Sequence, residues 1–304
     1  MSGAALAHPA TYALLVTDTF RCTAAASLAG EPMVGTAPED ASYLLVEYAG
    51  AWGRKALAES RLPEEVRERL GGLDARVLLI RRHGGLSGPG VRIFTVQVTP
   101  QDCTIETGLL REVTDLLHLD LDRVGAGEHL GLTTYEHDLH LVCTNGSRDL
   151  CCAELGRPVA AALSARWPEE TWEVTHLGGH RFASTMLHFP SALCLGRLDA
   201  ETAELTVEEI QAGRHPVGFS RGRVGVSEPA QVAQVHVVEQ TALDTLGAVT
   251  VLEEERGVVR LSAGGREWQA AVRTTKSDPR RQSCGETFEK PARIHTVVAA
   301  GIVE

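Results

Sequence analysis

The sequence has 304 residues, 43% hydrophobic and 23% charged, so it predicts a folded protein with a substantial core. Its 40 acidic residues exceed its 29 lysines and arginines, and the resulting net charge of −11 argues against nucleic acid or anionic membranes as partners. The sequence contains no run of 18 apolar residues, so we expect no transmembrane helix. The first 18 residues lack a basic n-region, so we expect no secretory signal. Seven unevenly spaced cysteines argue against a disulfide framework, and a cytoplasmic location is therefore predicted.

The first half of the chain predicts alternating strands and helices. Strands are expected at 43–48, 76–82 and 91–98, and helices from about Trp52, at 63–70 and at 107–118. The second half repeats this β-α-β-β-α order, with a strand at 138–142, a helix at 154–166, a strand at 171–175, a strand or hairpin at 186–198 and a helix at 206–213. The fold class is therefore α/β, with two tandem modules of the same order.

The remaining residues predict a C-terminal extension. A helix is expected over 228–246, with Ser227 as its N-cap, followed by a β-meander at 248–274 and a polar loop at 275–287. We therefore divide the chain into an N-terminal module without metal ligands (1–134), a metal-binding module (135–225) and the extension (226–304).

Soft metal ligands concentrate in the second module. Cys143 and Cys152 stand nine positions apart in a loop between a strand and a helix, and His176 and His180 stand four apart after the next strand. Both pairs fall at the carboxyl ends of predicted strands, where open α/β sheets place their sites. Thiolates hold Fe–S clusters, and neutral imidazole binds borderline metals. Gly178 and Gly179 would let the backbone turn so that both imidazoles face one point.

These segments carry a resemblance to a known family. CTNGSRDLCC and HLGGHRFA, followed by LGRL and FSRGRVG, resemble the sucrase/ferredoxin-like family of thioredoxin-like [2Fe–2S] proteins. The resemblance implies a thioredoxin-like fold, with Cys143 and Cys152 on one iron and His176 and His180 on the other. The word sucrase implies nothing here, because we find no paired-carboxylate site for glycoside chemistry.

The function implied is that of an electron carrier, more than of an enzyme with a substrate of its own. It would exchange electrons with a reductase and an acceptor protein, and we assign no catalytic residues. Imidazole ligands would raise the reduction potential and couple electron uptake to proton uptake. Residues beside the ligands would tune the site from the second shell: Arg148, Asp149, Gly178, Gly179 and Arg181.

Three alternatives remain open at this point. A structural zinc module uses the same Cys2His2 donors, although a spacing of nine between the cysteines is wide. Cys151 is read as a packing residue but could replace Cys152 as a ligand. A thiol–disulfide oxidoreductase would need a Cys-x-x-Cys motif, which the sequence lacks.

Other polar residues near the site receive a structural interpretation. Arg221 and Arg223 are interpreted as solvated surface residues, and His140 and His188 as surface or core histidines.

Overall fold

A computed structural model describes residues 20–85 and 88–303 of the chain. The predicted absence of a secretory signal concerns residues 1–18, which lie outside this description. Six α-helices are described: α1 (Cys22–Leu28), α2 (Glu64–Gly71), α3 (Asp122–Gly125), α4 (Leu150–Arg166), α5 (Ala200–Gln211) and α6 (Glu228–Thr241).

The described strands form two sheets. The larger sheet contains β1 (Ser42–Glu47), β2 (Arg76–Arg81), β3 (Val91–Val98), β4 (Cys103–Leu110), β5 (Thr133–Thr134), β6 (Leu139–Cys143), β7 (Thr171–Val174), β8 (Met186–Phe189), β9 (Leu193–Leu195) and β10 (Ser220–Arg223). The smaller sheet contains β11 (Val249–Glu255), β12 (Val258–Ala263), β13 (Arg266–Lys276) and β14 (Arg293–Ile302). The predicted α/β class is confirmed.

Strand order in the large sheet is the same in both halves of the chain. The full order is β10-β9-β8-β6-β7-β2-β1-β3-β4-β5. β1 pairs parallel with β2 and antiparallel with β3, and β6 likewise pairs parallel with β7 and antiparallel with β8. The two halves meet where β2 pairs antiparallel with β7, so one continuous sheet spans residues of both predicted modules.

Continuous apolar runs form the central strands because both faces of this sheet are covered. In β1, Tyr43 and Leu45 point into one core cluster, and Leu44 and Val46 point into the other. All four side chains are fully buried. The first of these clusters also contains Cys143 and Cys152 from the second half, so the two candidate thiols are part of the main hydrophobic core.

Two of the predicted helices in the first half are wrong. The segment predicted as a helix at 107–118 begins in strand β4, which pairs with β3 along its whole length, and only 113–118 forms a 3₁₀ helix. β-branched Thr104, Ile105 and Thr107 favour the strand, and the long-range ladder outweighs local helical periodicity. The described residues 51–63 contain no helix, and Trp52 packs under the guanidinium group of Arg81 instead.

The C-terminal extension follows the prediction closely. The Ser227 hydroxyl accepts a hydrogen bond from the Ala230 N–H, so the predicted N-cap is confirmed, although α6 ends at Thr241. The smaller sheet is the predicted meander, extended by β14. Between β13 and β14, an irregular segment at 277–292 returns to α4, where Ser283 and Cys284 contact Asp149.

His140 makes the stability of the fold sensitive to acid. Its side chain is fully buried, and neither ring nitrogen has a hydrogen-bond partner among the described residues. Burial, together with the charge of His188, lowers the pKa of His140 to about 3. Below about pH 6.5, His140 is protonated in the unfolded chain but stays neutral in the native chain. The contribution of His140 to stability is therefore complete above about pH 6.5 and is lost as the pH falls towards 3.

We expect the unfolding free energy to fall by about 2 kcal/mol between pH 7.5 and pH 5 through His140 alone. Urea unfolding at the two pH values measures this loss. His140→Leu should remove it, whereas replacing the exposed His118 with leucine should leave it unchanged. An equal acid loss in wild type and His140→Leu would show that His140 is not responsible.

Candidate metal centre

Two parallel strands bring the candidate ligands together. Cys143 is the last residue of β6, and its register partner Val174 ends β7. Helix α4 starts close by, because Gly156 has no side chain to hold it away. A Cβ atom at this position would lie closer than 3.0 Å to the carbonyl oxygen of Cys143. This close approach places Cys152, in the first turn of α4, beside Cys143.

The loop after β7 turns back on itself, as its glycines predict. Gly178 and Gly179 have φ angles of +88° and +64°, a left-handed conformation that glycine adopts without steric cost. The turn brings Nε2 of His176 to 3.5 Å from Nδ1 of His180. The two imidazoles therefore face one point.

The buried side chain of Arg221 holds this loop in place through hydrogen bonds. Arg221 is 1% exposed; it donates a hydrogen bond to the Gly178 carbonyl at 3.0 Å and others to the hydroxyl and carbonyl of Thr36. A Cβ atom at Gly179 would collide with its guanidinium group. Burial lowers the pKa of Arg221. The interpretation of Arg221 as solvated surface is wrong, because these buried carbonyls satisfy the guanidinium in place of water.

We expect Arg221→Met to lower the unfolding free energy by about 3 kcal/mol, since it leaves the carbonyls of Gly178 and Thr36 buried and unpaired. The histidine loop should loosen with it. Denaturant unfolding measures the loss, and Arg157→Met on the exposed face of α4 is the control. Equal stability of the two variants would contradict a supporting role for Arg221.

The two thiols form an asymmetric pair. The sulfur atoms of Cys143 and Cys152 and one ring nitrogen of His176 lie within 4.8 Å of one another, and each cysteine is 1% exposed. A hydrogen bond from the Cys152 thiol, with a further one from His176, lowers the pKa of Cys143 well below its usual value despite burial. The same hydrogen bond and burial raise the pKa of Cys152.

The imidazoles of His176 and His180 are more accessible than the two thiols. Burial lowers the pKa of His180 to about 4, against an opposing effect of the nearby Asp149 carboxylate. The side chain of His180 is 14% exposed, and His176 is also partly exposed. The site therefore has a buried sulfur end and an imidazole end close to the surface.

The predicted neighbours take different positions. Asp149 caps α4 by accepting the Cys151 N–H, and its Oδ2 lies 3.9 Å from Nε2 of His180. The Arg148 backbone N–H donates to the Asn145 side chain. The Arg181 guanidinium donates a hydrogen bond to the buried Glu31 carboxylate at 2.6 Å.

A second cluster of thiols, which sequence reading did not foresee, lies beside Asp149. Cys151 faces away from Cys152 and meets Cys22 from α1 and Cys284 from the irregular C-terminal segment. Hydrogen bonds from the Cys22 and Cys284 thiols lower the pKa of Cys151 to about 2. Nothing local in the sequence indicates this cluster, since its members are separated by more than a hundred residues.

A third group also lies outside the predicted site. Asp138, His140 and His188 offer ligand atoms within 4.8 Å of one another. Asp138 and His188 also line a cavity of about 350 Å³, which none of the four predicted ligands touches. His140 and His188 are both buried, as the core interpretation predicts.

One known protein family matches the part of the chain that contains the candidate site. The family model described as sucrase/ferredoxin-like matches residues 33–222, well over half of the chain. The chain belongs to the sucrase/ferredoxin-like family. The match contains Cys143, Cys152, His176 and His180. No curated protein and no solved structure matches the chain.

Some residues near the candidate site lie outside the segment that the family model matches. Cys22 and the whole segment around Cys284 fall beyond the matched residues, whereas Arg221 falls within them. Among the described helices, none combines the length and apolar character needed to cross a membrane.

Proposed function

We propose that this sucrase/ferredoxin-like protein is a [2Fe–2S] electron-transfer protein, with Cys143 and Cys152 on one iron and His176 and His180 on the other. The observation that carries the proposal is the arrangement of four donors as a thiol pair and an imidazole pair at one strand edge. When bound, such a cluster accepts and returns one electron at a time.

The distances between donor atoms fit no single ion that holds all four donors. Two donors on one tetrahedral ion, with metal–nitrogen bonds of about 2.0–2.1 Å, lie about 3.3 Å apart. The 3.5 Å between His176 Nε2 and His180 Nδ1 fits one shared ion. His180 is not part of the group of atoms within 4.8 Å that joins both cysteines to His176, so one ion would not reach all four donors without rearrangement. A cluster would also have to move His176 away from the thiols, since one of its ring nitrogens lies within 4.8 Å of both sulfurs.

The protonation states of the ligands also suit metal binding. A thiol ligand must be deprotonated and an imidazole ligand neutral. The lowered pKa of Cys143 favours the thiolate that a metal requires, and His180, with a pKa of about 4, is neutral at neutral pH. Positive charge from the metal would deprotonate Cys152 in turn.

The chain also supports coupling of the electron to a proton. With Nε2 of His176 and Nδ1 of His180 facing each other, Nδ1 of His176 and Nε2 of His180 remain free to hold protons. Neither has a hydrogen-bond partner among the described residues. The Asp149 carboxylate, 3.9 Å from Nε2 of His180, favours a proton there. Reduction should therefore raise the proton affinity of the imidazoles, and the potential should fall as pH rises.

Strand topology is compatible with a thioredoxin-like module. In each half, a parallel β-α-β pair is followed by an antiparallel hairpin in the same strand order. We take the second half as the cluster-carrying module. Electrons would pass through the partly exposed imidazole end to a reductase and an acceptor, and the net charge of −11 suits partners with a basic docking face.

The thiol–disulfide oxidoreductase alternative is less well supported. Cys143 and Cys152 do form an asymmetric thiol pair, but exchange requires attack by an incoming thiol on an accessible sulfur. Both residues are 1% exposed and belong to the main hydrophobic core of the large sheet.

The decisive test is the visible spectrum of freshly purified protein, with iron and sulfide assayed on the same sample. We expect brown protein with about two irons and two sulfides per chain. His176→Cys should keep the colour and lower the potential by on the order of 100 mV, because thiolate adds negative charge. Titration of the wild-type potential from pH 6 to 10 should show it falling with pH.

Three results would contradict the proposal. Zinc that disappears in Cys152→Ser would assign the site to structural zinc. Colourless protein that cannot be reconstituted anaerobically with iron and sulfide would exclude the cluster. A potential independent of pH from 6 to 10 would exclude the proton coupling.

A further inference from the structure

Three thiols from distant parts of the chain converge behind the candidate centre. Sγ of Cys284 lies 3.4 Å from Sγ of Cys151 and 3.6 Å from Sγ of Cys22. Cys22 and Cys151 are buried, and Cys284 is partly exposed. The Oδ1 atom of Asp149 completes the group, 3.4 Å from Sγ of Cys22. All four donor atoms lie within 4.8 Å of one another.

These separations match ligands of one tetrahedral ion. With zinc–sulfur bonds of about 2.3 Å, two thiolates on the same ion lie about 3.8 Å apart. A polynuclear cluster would distribute its ligands over several metals and hold the sulfurs further apart. A disulfide uses two sulfurs and would leave the third buried thiol facing it unused. Three thiolates and a carboxylate oxygen form a complete donor set for zinc.

The surroundings hold these ligands in place before any ion binds. Asp149 accepts the Cys151 N–H on Oδ1 at 3.0 Å, and the Ser283 hydroxyl and the Cys284 N–H on Oδ2, both at 2.8 Å. The Cys22 N–H donates to Sγ of Cys284 at 3.5 Å. Such outer hydrogen bonds orient ligands and disperse thiolate charge in metal sites.

The position of the cluster also gives it a structural purpose. Cys22 lies in α1, a helix of seven residues, and Cys284 lies in the irregular segment at 277–292. Short elements of this kind bury little apolar surface, and a metal shared with α4 would fix both of them to that helix. Cys22 and Cys284 fall outside residues 33–222, so membership of the family does not assign this site.

We propose that Cys22, Cys151, Cys284 and Asp149 bind one structural zinc ion, separate from the Cys143/Cys152/His176/His180 centre. The ion ties α1 and the 277–292 segment to the start of α4. The site shares no ligand with the proposed cluster and does not require that cluster to be bound, although its ligand Asp149 also lies 3.9 Å from His180.

The test is zinc analysis of the full-length protein, produced in zinc-supplemented medium and purified with reductant. Wild type should contain about one zinc per chain, and Cys22→Ser/Cys284→Ser should contain at least tenfold less. Cys103→Ser, a partly buried thiol outside the cluster, is the matched control and should retain the zinc. Iron, sulfide and far-ultraviolet circular dichroism of the double variant should match wild type, which shows that the fold persists.

Replacement of the zinc by Co²⁺ gives an independent measurement. Wild type should show the intense charge-transfer and ligand-field bands of a tetrahedral cobalt thiolate, and the double variant should lose them. Equal zinc in wild type and double variant would overturn the proposal. So would a wild type that binds neither Zn²⁺ nor Co²⁺ under reducing conditions, or one whose mass shows a Cys151–Cys284 disulfide. If all variants lack iron but only the double variant loses zinc, the proposed cluster would be refuted and the proposed zinc site would be supported.

Discussion

Cys152→Ser is expected to abolish iron binding, whereas Cys151→Ser, one position earlier, should leave iron unchanged. The side chain of Cys152 lies beside Cys143 and His176, and that of Cys151 lies beside Cys22 and Cys284 on the other side of the helix start. Loss of a thiolate ligand removes both negative charge and a metal bond. We expect about a tenfold or greater fall in iron and sulfide, measured on the purified variant after anaerobic reconstitution.

The same pair of variants should respond in the opposite sense to zinc. Cys151→Ser should lose zinc and remain brown, and Cys152→Ser should lose its colour and keep its zinc. Because both substitutions lie in the first turn of α4, a general effect on folding would affect both metals in both variants. Iron lost equally from both proteins would contradict the separation of the two sites, and iron retained by Cys152→Ser would contradict its assignment as a ligand.

Gly156→Ala is the second change with a large expected effect. A methyl group at this position would meet the carbonyl oxygen of Cys143, which belongs to the backbone of β6 and has no rotamer to yield. Helix α4 would have to move away from the strand, and Cys152 would move with it. We expect a loss of about 3 kcal/mol in unfolding free energy, together with weaker cluster retention.

Denaturant unfolding and iron content, measured at a temperature where the variant is still folded, test both parts of this expectation. Gly71→Ala is the matched control, because Gly71 is also helical and lacks a positive φ. A Cβ atom at Gly71 would have no other heavy atom within 4 Å apart from its immediate neighbours in the chain and the helix. There alanine should be neutral or stabilise the protein by up to about 1 kcal/mol. If Gly156→Ala has the same stability and iron content as Gly71→Ala, then helix α4 can accept a methyl group at this position without moving away from strand β6.

How much of the site could be foreseen depends on how far apart its parts stand in the chain. Each pair of candidate ligands is local, and the glycines between His176 and His180 signal the turn that joins them. Cys151 looked like a packing residue because its neighbours Cys22 and Cys284 stand more than a hundred positions away. Arg221 looked solvated for the same reason, since its acceptors at Thr36 and Gly178 are remote in sequence.

The sequence by itself determined the α/β class, most strands and helices of the second half and the C-terminal meander, because each depends on local periodicity. Short spacing alone also singled out the two cysteines and the two histidines as candidate ligands. Tertiary structure decided which segments became neighbours. It made β4 a strand where local periodicity favoured a helix, joined both halves through β2 and β7 into one sheet, buried Arg221 under the histidine loop, and gathered three remote thiols around Asp149. The physical reason is that the free energy of these contacts comes from surfaces buried between distant segments. The apolar pattern of a segment shows that it will be buried, but not which distant segment it will meet.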